Sequence, residues 1–200
     1  RLAVIDIRGG HQPMSDPAET TYVCFNGEIY NHKELRQDLT RRGATFRTEC
    51  DTEVLVHLYR EHGSKMLSLL NGMFAFAVID LKQRTVLLAR DRLGQKPLYY
   101  YCNRDRLVFA SELQALRRGP GFPDTIRLQS VHDYLSLHYT PSPHTIFNGV
   151  RKLPPGALLT AALDAADSAR LTHYWRPSWT PKTSDSYADF PHQLRHLVET

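Results

Sequence analysis

The residues with the clearest potential for chemistry are crowded into one short stretch, Phe25-Asn26-Gly27-Glu28-Ile29-Tyr30-Asn31. An apolar, strand-like run reaches the Asn-Gly pair, and a second short apolar run leaves it. Asn-Gly between two such runs predicts a β-hairpin turn, because both residues adopt positive φ at little cost. The Glu28 carboxylate stands beside this turn, and Asn31 with Glu34 marks the start of a helix. This crowding suits the binding of a small ligand better than a simple reversal of the chain.

The elements that must position this stretch are predicted from apolar periodicity and capping residues. A helix is expected over 32–42, a short strand over 45–48, and then a second helix that Gly63 ends. The apolar run 73–80 predicts a strand covered on both faces. Hairpins interleaved with helices predict an α+β layered sandwich of antiparallel sheets covered by helices, rather than a doubly wound fold.

Composition is that of an ordinary soluble globular protein. The 200 residues, 42% hydrophobic and 23% charged, suffice for one ample core and a short appendage. No window approaches the ~18–20 apolar residues of a membrane span, so no membrane partner is expected. The net charge of +4 is too mild and too dispersed to indicate nucleic-acid binding. An odd, sparse set of 3 cysteines indicates a reducing cytoplasm and no disulfide framework.

The stretch 25–31 resembles the glutamine-binding turn of class II glutamine amidotransferases, and its Asn-Gly-Glu-Ile-Tyr-Asn form is most similar to asparagine synthetases. Further segments extend the resemblance over about residues 1–175. They are Arg1-Leu2-Ala3-Val4-Ile5-Asp6 with Gly10-His11-Gln12-Pro13, Cys50-Asp51-Thr52-Glu53, Arg90-Asp91-Arg92-Leu93-Gly94-Gln95-Lys96-Pro97, Ser111-Glu112-Leu113 and Arg151-Lys152-Leu153-Pro154-Pro155-Gly156. The resemblance implies the N-terminal-nucleophile (Ntn) hydrolase fold, a four-layer αββα sandwich with two antiparallel sheets.

The resemblance also implies roles for individual residues. The Asn26 side-chain amide and the Gly27 N–H would form an oxyanion hole, in which each donor contributes ~3–4 kcal/mol to transition-state stabilisation. Glu28 and Asp51 would hold the α-ammonium group of L-glutamine, although an ordinary N-cap role for Asp51 stays open. Arg1 would bind the α-carboxylate bidentately, unless it is only a solvated terminal cation. The same segment adds the substrate-binding residues Leu2, Ala3, Val4 and Ile5.

The charged residues of the other matching segments are assigned structural roles. Arg90, Asp91 and Glu112 are expected to form a partly buried charge network that braces the sheets. Glu53, two residues after Asp51, is expected on the helix surface. No position in these segments is predicted to make or break bonds.

The nucleophile is absent from the predicted site. The resemblance implies a cysteine at the N-terminus of the mature chain, whose own α-amino group, with a pKa of ~7.7–8.0, can act as the base. Cys24, Cys50 and Cys102 do not begin the chain, and Cys24 and Cys102 lie in apolar strands where buried, inert thiols are expected. We therefore expect the catalytic cysteine upstream of Arg1 and no glutamine hydrolysis by this polypeptide alone.

No metal or nucleotide site is predicted within the chain. His192 and His196 have the i, i+4 spacing of helical metal ligands, but no glutamate follows the first histidine, so a solvated helix face is expected. No Gly-rich phosphate loop is present. The resemblance implies that ATP and Mg²⁺ bind a synthetase domain beyond this sequence.

The resulting prediction is a fragment of a glutamine-dependent asparagine synthetase, an amido-ligase of amino-acid biosynthesis. Residues 1–162 would be the N-terminally truncated glutaminase domain, 163–184 a linker, and 185–200 the first helix of the synthetase domain. The intact enzyme would release ammonia from L-glutamine and pass it to aspartate that ATP has activated. A cytoplasmic homodimer is the expected assembly.

Two other functions stay open at this stage. An asparagine-synthetase-like amidotransferase could amidate another carboxylic acid, for example in a polysaccharide or antibiotic pathway, because the acceptor site lies outside this sequence. A non-catalytic relic of the domain could serve only for packing or binding. Arg1, Asn26, Gly27, Glu28 and Asp51 argue together against the relic, since scaffolding needs none of these polar groups.

Overall fold

The computed structural model describes residues 5–6, 9–179 and 187–199. The strands in this part of the chain are β1 (Met14–Ser15), β2 (Thr21–Ile29), β3 (Gly72–Asp80), β4 (Thr85–Arg90), β5 (Tyr99–Cys102), β6 (Leu107–Ala110), β7 (Val150–Lys152), β8 (Ala157–Ala162) and β9 (Ala165–His173). The helices are α1 (His32–Arg41), α2 (Asp51–His62), a 3₁₀ helix (Gly63–Ser68), α3 (Leu113–Arg117), α4 (Leu128–Leu137) and α5 (Phe190–Glu199).

These strands form two antiparallel sheets that pack face to face. The large sheet has the order β1-β2-β3-β4-β8-β9, and the small sheet has the order β6-β5-β7. Every pairing is antiparallel. β3–β4, β5–β6 and β8–β9 are hairpins, whereas long connections that contain helices join β2 to β3 and β4 to β8. The predicted α+β class with two antiparallel sheets is confirmed.

Side-chain alternation along the strands separates the core into layers. Phe25 and Phe76 point toward α1 and α2, where they pack with Leu39 and Leu55. Successive residues point the other way, and the small side chains of β3 let the two sheets approach each other. A third cluster lies beyond the small sheet, against α3. The order helix, sheet, sheet, helix is the predicted four-layer sandwich.

The predicted strand over 45–48 is wrong, because its backbone donors are used otherwise. The N–H groups of Arg47 and Thr48 donate to the two carboxylate oxygens of Glu53, each at 2.8 Å. Thr48 Oγ1 also donates to Glu53, at 2.7 Å. Glu53 is therefore buried rather than on the surface as predicted, and it ties the α1–α2 connection to the first turn of α2.

The prediction of a linker over 163–184 is wrong for residues 165–173, which form β9 at the edge of the large sheet. β9 pairs with β8 from Ala162↔Ala165 to Ala157↔His173. Its residues are mostly exposed, so the strand carries little of the apolar alternation from which strands are recognised. The residues that follow β9 are held to the start of β8, because Tyr174 and Trp175 donate their N–H groups to Gly156 O.

Other expectations have simpler outcomes. The helix over 32–42 is confirmed as α1, and α2 ends at Gly63 as predicted. Residues 1–4 and 7–8, near the start of the sequence, lie outside the described residues. Within the described ranges, none of the helices combines the length and apolarity needed to span a bilayer.

Candidate functional site

The predicted Asn26-Gly27 hairpin turn is wrong, because β2 runs through both residues without reversing. β3 supplies the partner for the whole strand, with Asn26 opposite Ala75, Gly27 opposite Phe74 and Glu28 opposite Met73. On its other side β2 pairs with β1 only at residues 22–23. Among the residues that the structure describes, none forms a strand beside the second half of β2 on that side, and the candidate site lies along this edge.

Backbone N–H groups along this edge point into the site. In an antiparallel pair, the N–H groups of successive residues alternate between the two sides of a strand. Phe25 N–H donates to Gln12 Oε1 at 2.8 Å, and Ile29 N–H donates to Asp51 Oδ2 at 3.1 Å, so both groups point away from β3. Gly27 lies midway between these two residues, and its N–H faces the same open edge.

Gly27 occupies its position because no other residue fits there. Its φ of +153° lies outside the range that L-residues favour. A Cβ at this position would lie 2.1 Å from Met73 O and 2.8 Å from Phe74 Cα, both atoms of the neighbouring strand. The close approach of β2 and β3 at this point therefore depends on the missing side chain.

The Asn26 side chain lies on the inter-sheet side of β2. Its Nδ2 is 3.5 Å from Ser111 Oγ, a long and weak contact that leaves the amide free to bind another acceptor. A cavity of about 430 Å³ opens there between the two sheets, lined by Asn26, Ser111, Gln12, Cys24 and Glu112 among others. Asn26 and Gly27 thus present a side-chain donor and a main-chain donor from consecutive residues.

Two carboxylates meet at the end of β2. Asp51 is buried in the first turn of α2, and its Oδ2 accepts the Ile29 N–H. Cys50 is the N-cap residue of α2, so the N-cap role considered for Asp51 is wrong. Asp51 instead joins α2 to β2 and stands beside Glu28.

The electrostatics of this pair favour a cationic ligand. Partial burial raises the pKa of the Glu28 carboxyl above its ordinary value, and the neighbouring Asp51 raises it further. His32 and Lys96 act in the opposite direction. The unbound pair therefore carries a destabilising repulsion, which an ammonium group placed between the two carboxylates would relieve.

The predicted carboxylate-binding segment is only partly described. Arg1, Leu2, Ala3 and Val4 lie outside the described residues, and Ile5 is half-buried. Asp6 fixes the position of Ile5, because its carboxylate accepts the N–H groups of Gly9 at 2.8 Å and Glu49 at 3.0 Å. Glu49 lies two residues before Asp51, so the contact brings the start of the described chain to the α2 side of the site.

The predicted charge network of Arg90, Asp91 and Glu112 is wrong in its composition. The fully buried Asp91 carboxylate accepts four backbone N–H groups, from Phe74, Leu93, Gln95 and Lys96, at 2.9–3.2 Å. The Arg90 guanidinium donates to three backbone carbonyls, those of Gly94, Lys96 and Leu153. Glu112 is exposed and lines the inter-sheet cavity instead. The two charges at 90 and 91 therefore organise loops rather than pair with each other.

Gln12 lies in the candidate site, although no role was predicted for it from the sequence. Its Oε1 accepts the Phe25 N–H, and its Nε2 lies 3.4 Å from Thr52 Oγ1. It therefore bridges β2 and α2 on the same edge as Gly27. Its place in the matching segment beside Pro13 was the only sequence signal for it.

The cysteines differ in their surroundings. Cys24 was predicted to be buried, yet it is exposed at the mouth of the inter-sheet cavity. The protein around it still removes enough solvent to raise the pKa of its thiol. The same cause raises the pKa of Cys102, whose thiol donates to Ala166 O.

Within residues 5–6, 9–179 and 187–199, no group of three or more metal-ligating side chains occurs.

Comparison with protein families and curated relatives gives a consistent result. A family model described as a glutamine amidotransferase domain matches residues 1–175. Asparagine synthetase (glutamine-hydrolyzing) 1 of Bacillus subtilis (strain 168) is 40% identical over 164 residues, which cover 82% of this chain and 26% of that protein. Asparagine synthetase (glutamine-hydrolyzing) 3 of the same organism is 37% identical over 202 residues, which cover 100% of this chain and 32% of that protein. The chain thus spans about a quarter to a third of the length of these relatives.

A solved structure confirms the fold. Glutamine phosphoribosylpyrophosphate amidotransferase from B. subtilis, complexed with ADP and GMP, matches 83% of this chain and 32% of its own chain, with a TM-score of 0.57. The sequences are only 22% identical, so this likeness concerns the fold alone. It confirms the predicted Ntn-hydrolase sandwich.

Proposed function

Because the chain belongs to the glutamine amidotransferase family, we propose that it is the glutaminase domain of a glutamine-dependent asparagine synthetase. In the full-length enzyme this domain binds L-glutamine and releases ammonia. The ammonia then amidates aspartate, which ATP activates in the part of the enzyme beyond this chain. The names of the relatives, which are glutamine-hydrolyzing asparagine synthetases, support this choice of acceptor.

Glutamine recognition rests on the open edge of β2. Glu28 and Asp51 receive the α-ammonium group, and the repulsion between the two carboxylates makes a cation the favoured occupant. Arg1 binds the α-carboxylate. Asn26 Nδ2 and Gly27 N–H then donate to the carboxamide oxygen at the other end of the substrate.

The reaction needs a thiol that none of the three cysteines of this chain supplies. A cysteine upstream of Arg1 loses its proton to its own α-amino group, and its sulfur attacks the carboxamide carbon of glutamine. The carbonyl oxygen becomes an oxyanion held by Asn26 and Gly27. The C–N bond then breaks, and the leaving nitrogen takes up the proton and departs as ammonia. Water hydrolyses the resulting thioester, which releases glutamate and restores the thiol. The 200-residue chain by itself is inactive in this proposal.

The binding of ATP and Mg²⁺ falls to residues outside this chain, because its sequence has no Gly-rich phosphate loop. A small, odd number of cysteines, three in 200 residues, agrees with a reducing cytoplasm, where we place the enzyme. We expect it to be a homodimer. Residues 185–200 would begin the synthetase domain.

The observation that carries the proposal is the orientation of the Gly27 N–H, beside the Asn26 amide and the Glu28–Asp51 pair. In the full-length protein, Asn26→Ala should lower kcat for glutamine hydrolysis by about 10²–10³-fold, since it removes one oxyanion donor. The KM for glutamine should change little, because this donor acts mainly in the transition state.

Asn148→Ala is the matched control, since Asn148 lies in an exposed turn and its amide donates to Ile126 O. It should leave both constants unchanged. A kcat for Asn26→Ala within a factor of about three of the control would contradict the oxyanion role, given the magnitude expected for such a donor. Hydrolysis without amidation of aspartate, in the presence of ATP, would point to another acceptor acid.

A further inference from the structure

The N–H groups on the open edge of β2 have side-chain partners on both sides of Gly27. Phe25 N–H donates to Gln12 Oε1 at 2.8 Å, and Ile29 N–H donates to Asp51 Oδ2 at 3.1 Å. The Gly27 N–H lies between these two groups and faces the same edge, because successive N–H groups alternate between the two sides of a strand.

The neighbouring strand leaves the Gly27 N–H open as well. Phe74 stands opposite Gly27 in β3. The Phe74 N–H donates to Asp91 Oδ2 at 3.2 Å, and its carbonyl accepts the Asp91 N–H at 2.8 Å. Both main-chain groups of Phe74 therefore point away from β2, and the Gly27 N–H is available to a ligand.

The Gln12 side chain replaces a main-chain strand partner. β1 pairs with the first half of β2, and the same register continued would place residue 12 opposite Phe25. β1 begins only at Met14, and the Phe25 N–H is taken by the Gln12 side-chain oxygen instead of a main-chain carbonyl. A strand that reached further along β2 would have offered a carbonyl to Gly27. The side chain thus adds one hydrogen bond to the edge and stops short of the Gly27 N–H.

A second contact ties the Gln12 amide to the element that carries Asp51. Gln12 Nε2 lies 3.4 Å from Thr52 Oγ1, and Thr52 is fully buried in the first turn of α2. Cys50 Sγ lies 3.3 Å from the same hydroxyl, which is therefore held from two sides. A carboxamide suits this position because it offers an acceptor to Phe25 and a donor to Thr52 at once. Both side-chain partners of the β2 edge are thus tied to one helix turn.

We propose that Gln12 is a positioning residue for glutamine hydrolysis. It acts through Phe25 and not on the substrate. Together with Asp51 at the other end, it fixes the short length of β2 from which the Gly27 N–H meets the oxyanion. A preorganised donor needs no reorientation as negative charge develops, and this is the source of its catalytic effect. The inference rests on the proposed function, because the oxyanion arises only if a carboxamide is hydrolysed.

Replacement of Gln12 by methionine removes both hydrogen bonds and keeps the length of the side chain. In the full-length protein, Gln12→Met should lower kcat for glutamine hydrolysis by about tenfold, less than the loss of about 10²–10³-fold expected when a donor is removed outright. The KM for glutamine should change by less than about twofold, because Glu28 and Asp51 still bind the ammonium group. Gln83→Met, in the exposed turn between β3 and β4, is the matched control and should change neither constant. A kcat for Gln12→Met equal to that of the control would overturn the proposal.

Urea unfolding of the same variants separates positioning from a loss of folded protein. If the whole decrease in kcat disappears when rates are expressed per folded molecule, Gln12 has a structural role alone and the proposal is overturned. If Gln12→Met does not fold, Thr52→Val decides instead, because it keeps the acceptor for the Phe25 N–H and removes only the anchor of the amide. Thr52→Val should lower kcat by about threefold, and an unchanged kcat would overturn the proposal.

Amide hydrogen exchange separates this inference from the proposed function. In the 200-residue chain, Gln12→Met should speed exchange of the Phe25 N–H by at least about tenfold and leave exchange of the Ile29 N–H, which Asp51 holds, unchanged. Unchanged exchange at Phe25 would show that Gln12 does not hold β2 and would overturn the proposal. If the full-length enzyme hydrolyses no glutamine, the proposed function fails, whereas the exchange rates still decide whether Gln12 holds this edge.

Discussion

Gly27 shows most directly how a single residue sets the geometry of the site. Replacement by alanine places a methyl group 2.1 Å from Met73 O and retains a φ of +153°. The strands must then separate, at a cost of at least about 2 kcal/mol in unfolding free energy. Gly27→Ala should therefore lower both the stability of the domain and its glutaminase activity, as measured by urea unfolding and by turnover in the full-length protein.

Gly43→Ala is the control that isolates backbone strain from the steric clash. Gly43 also has a positive φ, +94°, but no atom lies within 4 Å of a Cβ at that position. It should cost about 1–2 kcal/mol, the penalty for a non-glycine residue in such a conformation, and leave turnover intact. Equal losses of activity in the two variants would show that the contact with Met73 does not shape the site.

Glu28 combines a cost in stability with a role in binding. A carboxyl whose pKa is higher in the folded than in the unfolded chain takes up protons on folding. The pKa of Glu28 is raised in the folded protein. Ionisation of its carboxyl therefore lowers the free energy of unfolding progressively as the pH rises from about 4.3, the ordinary pKa of glutamate, through the higher pKa of the folded state. Glu28→Gln should make the domain more stable than the original at pH 7, and this gain should vanish at pH values below about 4.3.

The same substitution should weaken glutamine binding at pH 7, because one of the two charges facing the ammonium group is lost. Urea unfolding at several pH values and the KM for glutamine measure the two effects. Glu19→Gln, at an exposed turn, should show neither effect. If Glu28→Gln gains stability and keeps its KM for glutamine, Glu28 does not bind the substrate, although its ionised carboxylate still destabilises the folded domain.

At the scale of elements, Asp91 holds two sides of the site together. Its carboxylate fixes Phe74, the partner of Gly27 in β3, and also the loop that places Lys96 near Glu28. An asparagine has one carbonyl oxygen for four N–H donors, and its own NH₂ would face donors. Asp91→Asn should therefore cost about 3 kcal/mol in unfolding free energy and also raise the KM for glutamine.

Asp80 provides a matched control at the other end of β3. It is likewise buried, and its Oδ1 accepts the Gln83 N–H at 2.8 Å. Asp80→Asn should cost about 1 kcal/mol and leave the KM unchanged. If both variants alter the KM equally, Asp91 acts through general stability and not through the position of Phe74.

The elements also show which parts of the site could be read from sequence. Short continuous motifs, compared with those of the family, singled out Asn26, Gly27, Glu28 and Asp51, and the structure places these four residues along and at the end of β2. They misjudged the local backbone, since Asn-Gly favours a turn only when no neighbouring strand extends the pairing, and β3 does extend it here. The burial of Glu53 was missed because its partners are main-chain N–H groups, which sequence patterns do not reveal.

At the scale of the whole molecule, the layer order was predictable and the domain edge was not. Hairpins and amphipathic helices predict antiparallel sheets covered by helices, because each apolar face needs a partner. The family resemblance supplied the αββα order. β9 escaped recognition because an exposed edge strand needs few apolar residues. The exit of the chain is likewise fixed by long-range contacts, those of Tyr174 with Arg90 and Gly156.

The position of the domain edge leads to a prediction about truncation. A chain that ends after Ala162 lacks β9 and Tyr174, so β8 becomes an open edge and the core cluster that contains Leu158 loses the Tyr174 ring packed against it. A chain that ends after Arg176 keeps all of these contacts and loses only α5 and the segment before it, and α5 contributes no buried residue. The chain that ends after Arg176 should unfold cooperatively at nearly the same urea concentration as the 200-residue chain. The chain that ends after Ala162 should unfold at a distinctly lower urea concentration, or aggregate through the exposed edge of β8. Identical midpoints for the two truncations would show that β9 adds nothing to the large sheet and that the domain ends where the sequence first indicated.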